Sequence, residues 1–467
     1  MKIETKEYFD LVAHQRDYWR KKNSYYHEDI IRLLHFLIPP HASVLEVGCA
    51  TGDVLNSLES RKGMGIDFSK EMILNAQRKY PHVRFQTMSL EELVLDETFG
   101  YVVLSDIVGF LHDIQHGFEK LHGVCHSQTK IIITYYNYLW EPLLVLAEKM
   151  HLKMKQPISN WLAKTDFEHV LRLAGFEIVK KGERLLLPKY IPLVSSFCNR
   201  FLAKLPLIRR LCLVNYLVVR PLPVGKGVER SVTVVVPARN EKGNIEDIVR
   251  RLPQLGLHTE LIFVEGNSSD GTREEMHRVA RAYPDRDIKI FVQDGKGKGD
   301  AVRKGFDHAQ GDILMILDAD MTVEPEELPK FYQALVSGSG EFINGSRLVY
   351  PLEDQSMRVL NILGNKFFSL MFSWLLDQRL KDTLCGTKVL WKKDYEQIKS
   401  NRSFFGDFDP FGDFDLLFGA AKLNLKIIDL PIRYKARSYG TTNINRFSHG
   451  WLLLKMCVFA MKKIKFI

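Results

Sequence analysis

Short runs of Val, Ile and Leu alternate along this chain with longer stretches whose apolar residues recur every three or four positions. The short runs have the length of buried strands and the longer ones the period of amphipathic helices, which together predict βαβ units around parallel sheets. "SVLEVGCATGDVLNSL", residues 43–58, reads as strand, glycine turn and helix. "SVTVVVPARNEKGNIEDIVRRL", from Ser231, reads as strand, loop and helix, and "ELIFVEGNSSDGT" as a second strand running into acid and turn residues. Between them, "VVRPLPVGKGVERSVTVVVP" gathers prolines, glycines and charges, so the pattern breaks into two α/β domains joined by a linker at residues 219–230.

Length agrees, since 467 residues exceed what one hydrophobic core serves. An apolar fraction of 46% with 26% charged residues is that of an ordinary globular protein. Six cysteines lack CxxC or zinc-type spacing, so neither a disulfide framework nor a metal finger is expected, and a reducing cytoplasm fits. "MKIETKEYFDLVAHQ" has no apolar core behind its charges and does not read as a signal peptide. No apolar run reaches the roughly 18 to 20 residues needed to cross a bilayer. The chain is nevertheless basic, at +9, and "WLLLKMCVFAM" is followed at once by lysines 462, 463 and 465. This charge is read as peripheral contact with the inner face of a membrane, not with nucleic acid. The basic, apolar segment 188–221 is given the same reading, as an amphipathic tail on the first domain.

In the first half, Gly48 and Gly52 are four apart and Glu46 ends the strand. Ala50 and Asp53 break the GxGxxG fingerprint of dinucleotide binders, so another nucleoside is expected. Asp67 follows Glu46 by 21 residues, where a second strand delivers a carboxylate to ribose hydroxyls. On "VLEVGCATG", "GID", "FGYVVLSDIVGFLHD" and "LAGFEIVKKGERLLLP", residues 25–190 resemble the class I S-adenosylmethionine-dependent methyltransferases. The resemblance implies that Glu46, Gly48, Gly52 and Asp67 bind S-adenosylmethionine. Ser89 or its neighbours stand where the family often has an adenine-reading Asp. His112, Tyr135 and Tyr136 are candidates on the acceptor side, where a base assists a hydroxyl acceptor.

In the second half, "ILDADMT" ends a buried run with Asp318 and Asp320. Side chains at i and i+2 of an extended segment point the same way, so the pair is expected to face one pocket. Hard oxygen ligands of this kind suit Mg²⁺ or Mn²⁺ on a diphosphate. With "VVVPARNE", "VEGNSSDGT", "GKGKGDAVRKG", "NGSR", "DTLCGTKVLW" and "DFDLLFGAAKLNLKIIDLPI" in order, residues 231–445 resemble glycosyltransferase family 2 with the GT-A fold, near the dolichol- and polyprenyl-phosphate sugar synthases. The resemblance implies nucleotide contacts from Pro237, Arg239, Asn240, Glu241 and Glu265, a loop shaped by Asp270, and metal at Asp318 and Asp320. It implies acceptor-side roles for Asp413 and Asp415 as bases, and for Arg347, Arg358, Lys388 and Arg437 near phosphates. The helical stretch after "NGSR" corresponds to one that lies on the membrane in that family. Glu265-Gly266 stands where the family often has Asp-Asp, and no QxxRW motif accompanies it, so a single transfer is expected, not processive synthesis.

The whole then reads as two Rossmann-like domains in series. Residues 1–218 form an S-adenosylmethionine-dependent methyltransferase and residues 231–467 an inverting, metal-dependent glycosyltransferase with a C-terminal amphipathic helix. A UDP- or GDP-sugar is the expected donor, and a polyprenyl phosphate or membrane glycolipid of the cell envelope the expected acceptor. The competing readings are a first half retained as a binding scaffold, a soluble acceptor, and a non-catalytic membrane adaptor.

Overall fold

The SVLEV run forms β1 (Ser43–Val47), where Val44 to Val47 are all buried, as a strand covered on both faces requires. In the computed structural model, which describes all residues except 1, 158–159, 224–227, 348–358, 403–411, 436, 438, 440–445 and 467, the chain divides between Leu222 and Pro223 into two units. The other strands of the first unit are β2 (Lys62–Asp67), β3 (Arg84–Thr87), β4 (Phe99–Ser105), β5 (Cys125–Tyr136), β6 (Phe176–Arg184) and β7 (Val214–Pro221). They form one sheet in the order β3-β2-β1-β4-β5-β7-β6. Strands β1 to β5 are parallel, and β7 runs antiparallel to both its neighbours, so the sheet is mixed and not all-parallel.

β7 corrects the sequence reading of residues 188–221. "VNYLVVRP" is not the end of an amphipathic tail but a strand inserted between β5 and β6, with Val214, Leu217, Val218 and Val219 in the core. It also carries residues 219–221 out of the expected linker and into the sheet. Its basic neighbours disguised it, because a strand buried on both faces lacks the polar alternation that marks a half-exposed one.

In the second unit, "VTVVVPA" forms β8 (Val232–Ala238), followed by β9 (Thr259–Glu265), β10 (Asp287–Val292), β11 (Ile313–Ile316), β12 (Phe342–Ser346), β13 (Lys388–Trp391) and β14 (Ile427–Pro431). The order is β10-β9-β8-β11-β13-β12-β14, with β13 antiparallel to β11 and β12 and the other pairs parallel, again a mixed sheet. One side of this sheet is covered by the helices Val359–Leu376, Asp413–Lys422 and Arg446–Ala460, where Phe372 stacks on Phe418 at 5.2 Å. The long apolar helix after "NGSR" thus has two characters. Phe368, Phe372, Leu375 and Leu376 are core, while Phe367 and Leu370 face outward. Among the described residues no helix is long and apolar enough to cross a membrane.

Candidate functional site

Each sheet has one strand where the chain reverses its direction of advance, β1 between β2 and β4 and β8 between β9 and β11. Crevices at such switch points, outside the carboxyl ends of the strands, are where α/β sheets hold ligands. The candidate acids of both halves gather at these two places.

At the first, β1 delivers Glu46 and β2 delivers Asp67, both buried. The Glu46 carboxyl accepts from the Leu55 N–H at 3.0 Å, which ties the glycine turn to the helix Asp53–Ser57. Burial pushes the Glu46 carboxyl up to about 8, with Asp53 and Asp67 adding to the effect. Gly48 and Gly52 have φ +73° and +78°, and a Cβ on them would lie 2.3 Å from Ile107 Cγ2 and 2.5 Å from the Phe85 ring respectively. Both positions therefore require glycine. Ala50, between them, donates its N–H to Asp67 Oδ2 at 2.9 Å, and Ser69 N–H donates to Oδ1 at 2.9 Å, which fixes the carboxylate at the edge of the turn.

A cavity of about 730 Å³ opens over this turn, walled by Glu46, Gly48, Asp67, Met88, Ser89 and Leu90 among others. That volume suits a nucleoside-sized ligand. Ser89 is on the wall, its hydroxyl donating to Glu92 at 3.1 Å. Of the three acceptor-side candidates, Tyr136 and His112 line the cavity, while Tyr135, its neighbour on β5, packs on Phe167 at 5.1 Å instead. Successive strand residues face opposite sides, so only one of the two tyrosines reaches the site.

Residues that the sequence reading did not single out complete this cavity. The N-terminal helices contribute Phe9, Arg16, Arg20, Tyr26 and His27 to its wall. Phe9 packs edge-on against Phe68 and Phe110, and Asp10 accepts from the Ser69 hydroxyl at 2.5 Å. Asp106, just beyond β4 with φ +58°, holds the Tyr26 hydroxyl and accepts from Thr134 Oγ1 at 3.0 Å. Burial raises its carboxyl above the usual range, and burial together with Arg16 and Arg20 pushes His27 down to about 3, leaving it neutral. The signal for Asp106 was its place in "VVLSDIVGF", one residue past a strand end.

At the second switch point, β8 ends at Ala238 beside Glu265, the last residue of β9. Pro237 lies within β8, half-buried, and Arg239 is exposed just beyond it. Ser268 N–H donates to Glu265 at 2.6 Å, and Asn240, at φ +58°, accepts from Ser269 N–H at 2.8 Å. Asp270 accepts from Lys242 N–H at 3.2 Å and Thr272 N–H at 3.0 Å, so it does shape this loop. Gly266 is buried beside Arg239, its absent Cβ 3.0 Å from that residue's Cβ, which leaves room where an acid would crowd it.

Asp318 and Asp320 depart from the expected geometry. β11 ends at Ile316, and the two carboxylates sit on a turn in which Met321 has φ +55°. The strand period therefore does not set their direction. Charge does: Lys298 Nζ lies 2.5 Å from Asp318 and Arg437 Nη2 lies 2.7 Å from Asp320. Lys298, with Lys388 and Arg347, holds the Asp318 carboxyl below its ordinary range against the opposing effect of burial. Arg437 also reaches Glu241 at 2.7 Å, so one guanidinium links the loop after β8 to the turn after β11. Burial, resisted by Arg437, pushes the Glu241 carboxyl up to about 6. Gly386 makes the closest approach: a Cβ there would lie 2.0 Å from Asp318 Oδ2 and 2.3 Å from Lys298 Nζ. Lys298, which opens the helix Lys298–His308 within "GKGKGD", was not singled out from sequence.

The acceptor-side candidates among the described residues are paired. Arg347 grips the buried Asp382 through two side-chain contacts of 2.8 and 2.9 Å, and Asp382 is held down at about 2. Lys388 is fully buried against Asp413 at 3.0 Å. Asp415 lies 3.5 Å from Arg303 and 3.6 Å from Arg402. Arg358 lies outside the described residues. Among the described residues no three His, Cys, Asp or Glu side chains cluster to hold a metal unaided. Two carboxylates one residue apart, each beside a cation, fit a Mg²⁺ or Mn²⁺ ion that draws its remaining oxygens from a diphosphate and water.

Known proteins divide along the same line. Residues 18–181 match the model of a methyltransferase domain and residues 233–397 that of glycosyl transferase family 2. Glycosyltransferase AglJ of Haloferax volcanii is 27% identical over 225 residues, 48% of this chain and 69% of that protein. Dolichol-phosphate mannosyltransferase of Pyrococcus furiosus is 36% identical over 219 residues, 46% of this chain and 59% of that protein. The same-named enzyme of Saccharomyces cerevisiae is 40% identical over 109 residues, 22% of this chain and 40% of its own length. The chain thus spans under two thirds of both mannosyltransferases. Among solved structures, a SAM-dependent methyltransferase from Thermotoga maritima is 14% identical with a TM-score of 0.37, covering 46% of this chain and 98% of that one. Glucosyl-3-phosphoglycerate synthase from Mycobacterium tuberculosis is 17% identical with a TM-score of 0.36, covering 50% of this chain and 80% of that one. The family matches, not these distant structures, carry the assignment: the chain joins a methyltransferase domain to a glycosyltransferase domain of family 2.

Proposed function

We propose that this chain is a bifunctional enzyme that transfers one sugar from a UDP- or GDP-sugar to a polyprenyl phosphate or membrane glycolipid, and a methyl group from S-adenosylmethionine. The observation that carries the first activity is the Asp318–Asp320 turn, bracketed by Lys298 and Arg437 at the carboxyl end of β11. Asp318 and Asp320 would hold Mg²⁺ or Mn²⁺, which neutralises charge on the departing nucleoside diphosphate. Glu241 and Glu265 would border the nucleotide, and Arg437, beside Asp320 and Glu241, would supply positive charge to phosphate oxygens. A phosphate acceptor is already ionised and needs no base; for a hydroxyl acceptor, Asp413 beside Lys388 and Asp415 beside Arg303 and Arg402 are the candidates. Transfer by direct displacement inverts the anomeric centre.

In the first unit, Asp67 keeps lone pairs for ribose hydroxyls, and Arg16 and Arg20 supply charge for a carboxylate. Tyr136 and Asp106 border the space left for the methyl acceptor. The outward Phe367, Leu370 and Trp451 of the second unit, with Lys366 and Lys455 nearby, support peripheral seating on the inner face of a membrane, at a step of cell-envelope glycan synthesis.

Thermal stabilisation by UDP and by GDP with Mn²⁺ tests the donor site. A shift with one nucleotide that disappears in Asp320→Ala is expected; no shift with either leaves the glycosyltransfer reading without its site. Stabilisation by S-adenosylhomocysteine, absent in Gly52→Val, is the corresponding result for the first unit.

A further inference from the structure

The helix Glu141–Lys149 has the sequence EPLLVLAEK and buries Leu144 alone. A helix apolar around most of its circumference normally lies inside a core. Here Leu143, Leu146 and, just beyond, Met150 are exposed, Leu146 by 52%. A second exposed apolar group lies on residues 190–211, where Leu193 is 86% and Leu207 78% exposed, with Phe197 between them. Leu193 also holds φ +62°, a conformation that a bulky side chain adopts only at a cost. Apolar surface on this scale marks an interaction site.

Charge identifies the partner. From 188 to 213 the chain carries Lys189, Arg200, Lys204, Arg209 and Arg210 and no Asp or Glu. Lys189, Arg200 and Arg210 are exposed among the apolar residues. On 188–213, large apolar side chains interleaved with cations alone complement an anionic lipid surface: the side chains enter the acyl boundary and the cations stay among the phosphates. Residues 139–152 add apolar area, with Glu141 exposed and Glu148 paired to Lys153 at 2.6 Å. Leu143, Leu152 and Lys189 belong to this face and also line the cavity over the glycine turn. Lys189 Nζ donates to Asn23 Oδ1 at 2.8 Å, which ties the face to the N-terminal helices that wall the same cavity.

We infer that residues 139–152 and 189–211 form a docking surface for an anionic lipid bilayer, so that the cavity of the first unit opens towards the membrane and takes its methyl acceptor from there. The docking stands on the surface itself; only the nature of the transferred group rests on the methyltransferase reading above.

Amide hydrogen exchange of the full chain with phosphatidylcholine vesicles, with and without phosphatidylglycerol, resolves this face from every other part of the protein. Severalfold slowing in peptides 139–152 and 189–211 is expected with phosphatidylglycerol and little without it. In the double variant Leu146→Glu, Leu193→Glu the slowing should vanish from these peptides while peptides of β4 exchange as before. Unchanged exchange at the face in the presence of anionic vesicles overturns the inference, as does equal slowing in the variant or slowing with protein concentration alone. Slowing in a chain that fails to bind S-adenosylhomocysteine supports the surface and removes the methyltransferase reading.

Discussion

Gly386 touches nothing that its own chemistry explains; it is glycine because Asp318 and Lys298 occupy the space a side chain would take. Gly386→Ala should cost about 1–3 kcal/mol of stability by overpacking and push Asp318 from its place. Calorimetry and nucleotide titration should show a modest fall in Tm with a disproportionate loss of Mn²⁺-dependent UDP or GDP binding. Glu46 gives a pH prediction. Its folded value of about 8 lies above the ordinary carboxyl value, so the folded state holds the extra proton in between. Stability from this group is therefore present at low pH and is lost as pH rises towards 8. Glu46→Gln, which imitates the protonated acid, should match the wild type near pH 5 and exceed it in Tm near pH 9. Equal melting of the two proteins across that range would show that Glu46 ionises freely.

At the scale of elements, β7 and the turn after β11 separate what a pattern shows from what packing imposes. β8 was legible because a Val-rich run between turn residues has few alternatives. β7 was not, since Lys189 to Arg210 precede it and give the whole segment the look of a surface helix. Its neighbours β5 and β6, 30 or more residues away along the chain, make it a strand. Val218→Pro removes a ladder hydrogen bond at a fully buried position, and the cost should be ~3 kcal/mol or more. The expected result is loss of the first unit's near-ultraviolet dichroism and of S-adenosylhomocysteine binding, with UDP or GDP binding by the second unit unchanged. The sequence puts Asp318 and Asp320 just past a strand, as the structure does, but the reason it offers for their direction is incomplete. The two carboxylates are held by separate cations on a turn, not aligned by a strand.

For the molecule as a whole, the charge of +9 acts beyond any single contact. Attraction to an anionic surface falls as the screening length shortens, from ~30 Å at 0.01 M salt to ~3 Å at 1 M. Binding to phosphatidylglycerol vesicles should weaken steeply across that range, yet leave a residue of binding at high salt, because exposed Leu193, Leu370 and Trp451 bury apolar area that salt does not screen. Complete release at high salt in a vesicle sedimentation assay would reduce the membrane contact to electrostatics alone.

The sequence by itself determined the two α/β halves, the glycine turn at Gly48–Gly52, and the acids Glu46, Asp67, Glu265, Asp318 and Asp320. These depend on local spacing: a strand end, a turn that admits no Cβ, a carboxylate set where the strand leaves its core. Tertiary structure alone decided the antiparallel strands, the N-terminal helices as a wall of the cavity, and Asp106 beside Tyr26. It also decided which cation meets which acid, Lys298 with Asp318, Arg437 with Asp320 and Glu241, Lys388 with Asp413. Long side chains from distant elements meet by topology, and Coulomb attraction acts between neighbours in space without leaving a period in the chain.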